Sequence, residues 1–190
     1  MTDPGPHLFW ITSRAAGTAA LLLSSLAVCM GLLMSGRMLR GRGLDLRVAH
    51  EAIALSAIVA IAVHALSLLG DGYLHPGLAD VTVPFASGYE TLWTTTGIVA
   101  GWSTAALGLS YYARRWIGPQ RWRALHSLTA LAWVAGVLHS VGEGTDAGRL
   151  WFVAMIGIAV IPASALMLVR ATGAGPGIPR HSVASRSADS

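Results

Sequence analysis

Four histidines are the residues of this chain whose type and spacing point to chemistry. His50 and His64 lie fourteen residues apart in the apolar stretch Val48 to Leu69, and His126 and His139 lie thirteen apart in the stretch Leu125 to Val141. As α-helix, fourteen residues rise ~21 Å and thirteen ~19.5 Å, most of a hydrocarbon core ~30 Å thick. Each stretch therefore carries one histidine near one face of a membrane and one near the other. If the two helices run parallel, His50 comes level with His126 and His64 with His139. Neutral imidazole is a ligand of haem iron, and its second ring nitrogen is free to donate to a backbone carbonyl. Two facing pairs would make a ladder of two bis-histidine haem sites, a path for electrons across a bilayer.

The elements that must position these residues are membrane helices. Hydrophobic residues make up 54% of the 190-residue chain and charged residues 12%, against ~25% charged in soluble domains. Mean hydropathy is +0.58. That length suits one bundle of four to six spans and leaves no room for a nucleotide-binding domain beside it. All thirteen basic residues are arginines, and the pI near 10.0 invites a nucleic-acid reading. Their placement in short loops between apolar runs, where they set topology, removes it. The single cysteine, Cys29, excludes an internal disulfide, an iron–sulfur cluster and covalent CxxCH haem attachment. In its apolar run it reads as a small buried hydrophobe. Met1 to Arg14 has neither a basic n-region nor a small-residue cleavage site, so the first apolar run reads as a retained helix and not a signal peptide.

The expected fold is all-α, an integral membrane helical bundle of five transmembrane helices in a bacterial inner or plasma membrane. Residues 1–11 form an extracytoplasmic tail in which Phe9 and Trp10 read as interfacial anchors. Residues 12–170 form the five-span domain, and residues 171–190 a cytoplasmic tail rich in Gly, Pro, Ser and Ala, expected to be disordered. The spans run from about Ala15 to Ser35, Val48 to Leu69, Thr91 to Tyr112, Leu125 to Val141 and Leu150 to Val169. Pro162, inside the fifth, is tolerable where neighbours satisfy the freed carbonyl. The connection Gly70 to Glu90 is long and lacks any Lys or Arg, and is expected to lie along the membrane surface. The loops after spans one and three and the C-terminal tail hold eleven arginines, the opposite side only Arg14 and Arg149. Positive charge marks the cytoplasmic side, which puts the N-terminus outside and the C-terminus inside. Spans two and four then run parallel, as haem pairing demands, although the histidines were not used to orient them.

At ~100° per residue, His64 returns within ~40° of His50, whereas His139 falls ~140° from His126. Either a local distortion, with Gly136 as its candidate place, or an approach of the two haems from different sides is required. A metal or proton transporter using intramembrane histidines is the competing reading. Zinc or copper sites gather three or four ligands, while these histidines separate into two levels ~20 Å apart, with Glu51 as the one intramembrane acid nearby. Glu51 itself reads equally as a structural residue or as one on the propionate side of a haem. A quinol-linked cytochrome b subunit anchoring a soluble dehydrogenase is a third reading.

The paired spacings, the approach RWRALH to span four, and five spans ending at a cytoplasmic tail resemble the ferric reductase-like transmembrane domain. This is the haem-binding core of ferric reductases, NADPH oxidases and the haem subunit of the periplasmic methionine sulfoxide reductase system. The segment DGYLHPGLADVTVPFASGYETLW is similar to text between spans two and three of bacterial members, and the resemblance covers about Trp10 to Val169. It implies two haem b, the inner held by His50 and His126 and the outer by His64 and His139. It puts Arg14 at the outer haem's acceptor site, and Trp133, between the two levels, becomes a candidate relay. It also implies electron transfer from a cytoplasmic-side donor to an extracytoplasmic acceptor such as ferric iron, dioxygen or a partner reductase. Ferric reductases and NADPH oxidases carry a cytoplasmic FAD and NADPH domain after the last span; here some twenty polar residues follow, with no GxGxxG motif. Electrons are therefore expected from a separate flavoprotein, a bound flavin or a quinol. Tyr73 and His75, in the outer connection, are tempting as acceptor-side residues but read more simply as structural.

Overall fold

Inside a membrane an apolar run must satisfy its backbone within itself, and helix is the form that does so. The computed structural model, which describes residues 7–36, 43–144 and 146–172, is helical, with no strand among those residues. Eight helices follow in order: α1 (Leu8–Ser35), α2 (Gly43–Leu68), α3 (Leu78–Thr82), α4 (Thr91–Leu109), α5 (Arg114–Ile117), α6 (Pro119–Ser127), α7 (Thr129–Gly142) and α8 (Leu150–Thr172). A 3₁₀ turn, Ser110–Ala113, joins α4 to α5. Four stretches are long and apolar enough to cross a membrane: Leu8–Ser35, Asp45–Leu68, Pro119–Gly142 and Leu150–Thr172. α4, read from sequence as the third span, has 19 residues, ~28 Å of helix. Its opening TLWTTT and its three glycines, Gly97, Gly101 and Gly108, make it less apolar than the other four.

Several boundaries differ from the sequence reading. The expected tail over residues 1–11 is helical from Leu8, because Pro6 is the last residue there that forbids helix. The connection 70–90 contains the short helix α3, and the arginine-rich loop before span four folds as α5 and the start of α6. Between those two helices Gly118 takes φ 90°, a conformation that favours glycine, and Pro119 opens α6 at a position where its missing N–H costs nothing. α8 continues through Pro162 to Thr172. The tail expected to be disordered lies, from residue 173 on, outside the described residues.

The long helices form a ring. α1 packs along α2, α2 touches α4, α4 packs along α7, and α7 touches α1, with α8 against the outer side of α1. α2 and α7 thus stand at opposite corners of a four-helix bundle. Large apolar side chains turn outward all round it, among them Val59 at 62%, Leu131 at 64% and Ile158 at 77% exposure. An exterior this apolar is the mark of a surface made for lipid, not water. The interior is lined by small residues, Ala20, Ala57, Ala100 and Ala163 among those buried, which let membrane helices approach closely. One buried polar bridge ties the neighbouring helices α1 and α7: the Trp133 indole N–H donates to Ser25 Oγ at 3.0 Å, and Ser25 donates on to the Leu21 carbonyl at 2.7 Å.

The span that carries His126 and His139 is broken. α6 ends at Ser127 and α7 begins at Thr129, with Leu128 between them donating to the Leu125 carbonyl in a tighter, 3₁₀-type turn. The ideal-helix phase between the two histidines therefore does not apply. The distortion sits at Leu128, not at Gly136, which lies within α7 and has only the Ala100 methyl near it. Replacing Ser25 by Ala leaves the buried Trp133 N–H without its acceptor. The expected cost is about 0.6–2 kcal/mol, read as a lower thermal midpoint in detergent against Ser24→Ala as control.

Candidate paired-histidine site

The diagonal of the bundle is where the four histidines meet. His50 faces His126 with ring centres 6.4 Å apart and planes at 80°; His64 faces His139 at 6.2 Å and 70°. Since both rungs join residues in the same chain order, α2 runs parallel to the α6–α7 segment. The steep angles rule out parallel stacking of the rings. Two imidazoles that grip one metal ion from opposite sides, each nitrogen about 2 Å from it, hold their ring centres about 6.3 Å apart. Both observed separations match that span.

The outward nitrogens are held by the flanking helices. His64 Nδ1 donates to the Ser13 carbonyl at 2.8 Å, and the Ser13 hydroxyl, 3.0 Å from the same nitrogen, donates to the His64 carbonyl at 3.0 Å. His139 Nδ1 donates to the Trp93 carbonyl at 2.9 Å, and His126 Nδ1 to the Leu107 carbonyl at a longer 3.3 Å. A neutral ring that donates through Nδ1 keeps an unprotonated Nε2 for a metal. His50 differs. Its Nδ1 is directed at the Ala27 carbonyl but falls short of hydrogen-bond geometry and is buried without a partner.

Glycines make these contacts possible. In a helix the carbonyl of residue n lies beside the side chain of n+4, and Gly17 and Gly97 occupy that place beside the Ser13 and Trp93 carbonyls. A Cβ at Gly17 would come 2.9 Å from His64 Nδ1, and one at Gly97 2.6 Å from the His139 ring. Gly31 stands in the same relation to Ala27 and His50, with 3.5 Å to spare. Gly17 and Gly31 are fourteen residues apart on α1, the spacing of His64 and His50 on its antiparallel neighbour α2. This matched pair of glycines, like Ser13, was legible as a spacing but missed in the sequence reading.

The rung His64 and His139, named the outer one after the sequence expectation as His50 and His126 are the inner, opens into a cavity of about 530 Å³ that Arg14, Trp133, Glu143 and Asp146 also line. Arg14 pairs with Asp146 and lies over the Trp10 ring, 4.3 Å from its centre. The structure thus puts both Arg14 and Trp133 in the lining of this cavity, with Trp133 bonded to Ser25, between the levels of Gly17 and Gly31 on α1. Around the inner rung, Trp122 stacks on His126 with centres 5.0 Å apart and planes at 26°, and Glu51 accepts from the Tyr112 hydroxyl at 2.6 Å. Trp122 is a further residue of the site that the sequence reading passed over, although it stands one helical turn before His126. Tyr73 and His75 are exposed in the connection after α2 and do not line the cavity. Among the described residues no group of three or more His, Cys, Asp or Glu side chains gathers as a metal-ion site, so the donor sets are pairs.

The His64–His139 rung, with two opposed imidazoles each backed by a carbonyl and a close glycine and with a cavity beside them, would suit a haem; the His50–His126 rung has the same ring separation but no partner behind His50. Compared with protein-family models, curated proteins and solved structures, the chain shows no significant match. Gly97→Ala is expected to displace the His139 ring and cost about 1–3 kcal/mol. Gly31→Ala, which meets His50 at ordinary contact distance, should be close to neutral or mildly stabilising through helix propensity. Thermal unfolding of the two variants in one detergent makes the comparison.

Proposed function

We propose that this chain is a membrane cytochrome of the ferric reductase-like kind, holding two b-type haems and passing electrons from the cytoplasmic side to an extracytoplasmic acceptor. The observation that carries the reading is the pair of ring-centre separations, 6.4 and 6.2 Å, each suited to one metal ion between two imidazole nitrogens. His50 and His126 would hold the inner group, and His64 and His139 the outer. Bound haem supplies one-electron iron chemistry.

The rest is the work of the chain's own residues. Carbonyls behind the histidines keep the rings in the metal-binding tautomer and in place. The apolar bundle excludes water from the rungs and gives them a low-dielectric sleeve. In this reading five helices cross the bacterial inner or plasma membrane, α4 being the third, with the N-terminus outside. The arginines of the loops after spans one and three then face the cytoplasm, as the positive-inside rule asks. Arg14, beside the outer rung and paired with Asp146, stands where it can offset negative charge on an acceptor or a haem propionate. Trp133, its indole held by Ser25 in the core, is the candidate relay between the two rungs. Electrons come from a separate flavoprotein, a bound flavin or a quinol.

Purified protein is expected to hold two haems per chain and, on reduction, to show a b-type α-band. His64→Ala should lower the ratio to one, and His64→Ala combined with His50→Ala to none. Protein without haem, or a ratio that His64→Ala leaves at two, contradicts the reading.

A further inference from the structure

The four histidines differ in what stands behind them, and the differences are not symmetrical between the rungs. His50 Nδ1 has no partner, and His126 Nδ1 has a carbonyl at 3.3 Å. His64 has the Ser13 carbonyl and hydroxyl. Only His139 has a carboxylate: Glu143 Oε2 lies 3.0 Å from its Nδ1.

Glu143 is held there from two directions. Its backbone N–H donates to the His139 carbonyl at 2.9 Å, one helical turn back, and its Oε1 lies 3.0 Å from the Thr94 hydroxyl, whose one proton it shares with the Tyr89 carbonyl at 2.8 Å. Oε2 is buried and makes no hydrogen bond of its own, because the single Nδ1 proton of His139 is directed at the Trp93 carbonyl. A buried carboxylate oxygen with unused accepting capacity thus stands beside the proton of a metal-binding imidazole. Glu51, adjacent to His50 in sequence, plays no matching part, since its carboxylate accepts from Tyr112. Arg14 and Asp146, the other charged groups lining the outer cavity with Glu143, are paired with each other and largely offset.

We infer that Glu143 is a positioning residue that tunes His139 and makes the outer rung the more electron-rich of the two sites; the inference rests on the haem reading above. The carboxylate charge stands 3.0 Å from the Nδ1 side of the ring, and negative charge on that side raises the donor strength of Nε2. The negative charge acts in the same direction across a low-dielectric interior, favouring the more positive oxidation state of whatever iron the ring binds. The outer site is therefore the harder of the two to reduce and, once reduced, the stronger donor toward an acceptor outside.

A potentiometric titration of the purified full chain, followed optically, reads this directly. Wild-type protein should show two one-electron transitions. In Glu143→Gln the lower one should shift to more positive potential while the upper stays in place, and Glu143→Asp should recover part of the shift. Thr94→Val, which releases Glu143 without removing its charge, should move the same transition by less. It decides the matter by the same criterion if Glu143→Gln fails to retain haem. Two haems retained with neither transition moved, or both moved alike, overturns the inference and leaves the functional reading intact. Wild-type protein that binds no haem overturns both.

Discussion

The structure depends on imidazole edges meeting across the diagonal of a helix bundle. A polar ring in an apolar interior is costly unless its nitrogens are used. Here three of the four Nδ1 atoms are used by backbone carbonyls of α1 and α4, while the rings themselves meet in pairs across the bundle. The bundle's order follows from that division. α2 and α7 carry the rings and stand at opposite corners, while α1 and α4 occupy the corners between them and supply the carbonyls that hold the rings in place. Small residues along the interior and glycines beside the carbonyls let four helices close around a diagonal wide enough for the pairs.

The two rungs are built alike but finished differently. The inner one is edged by aromatic side chains, with Trp122 stacked on His126 and Tyr111 next to Trp122 at 5.9 Å between ring centres. The outer one opens into a cavity edged by charge, where Arg14, Asp146 and Glu143 gather. The two ends of the bundle thus differ in chemistry, one aromatic around His126 and the other charged and cavity-bearing around His64 and His139.

Much of this was legible in the sequence because membrane helices are long and their chemistry is sparse. Hydropathy marked the apolar runs, and four histidines at spacings of fourteen and thirteen foretold which residues would face each other. What stayed hidden was local. No hydrophobic pattern marks the break at Leu128, since a single 3₁₀-type turn alters no residue type. Helix from Leu8 to Ile11 went unread because interfacial aromatics look alike in a tail and in a first helical turn. The carbonyl–glycine sockets were missed for a different reason: Gly17 and Gly31 act through the absence of a side chain, and in a chain with 22 glycines only the match to the histidine spacing sets them apart. Glu143 sits at an i+4 position from His139 and was readable as a pair, but an acid near a helix end reads first as a loop residue.

The central claim is that each pair of imidazoles closes on one iron from opposite sides. Low-temperature electron paramagnetic resonance of the oxidised, purified chain tests it most directly, because two strong axial nitrogens force ferric haem into the low-spin state. Two low-spin ferric signals with no high-spin component are expected. A dominant high-spin signal, or no haem iron at all, would contradict the account.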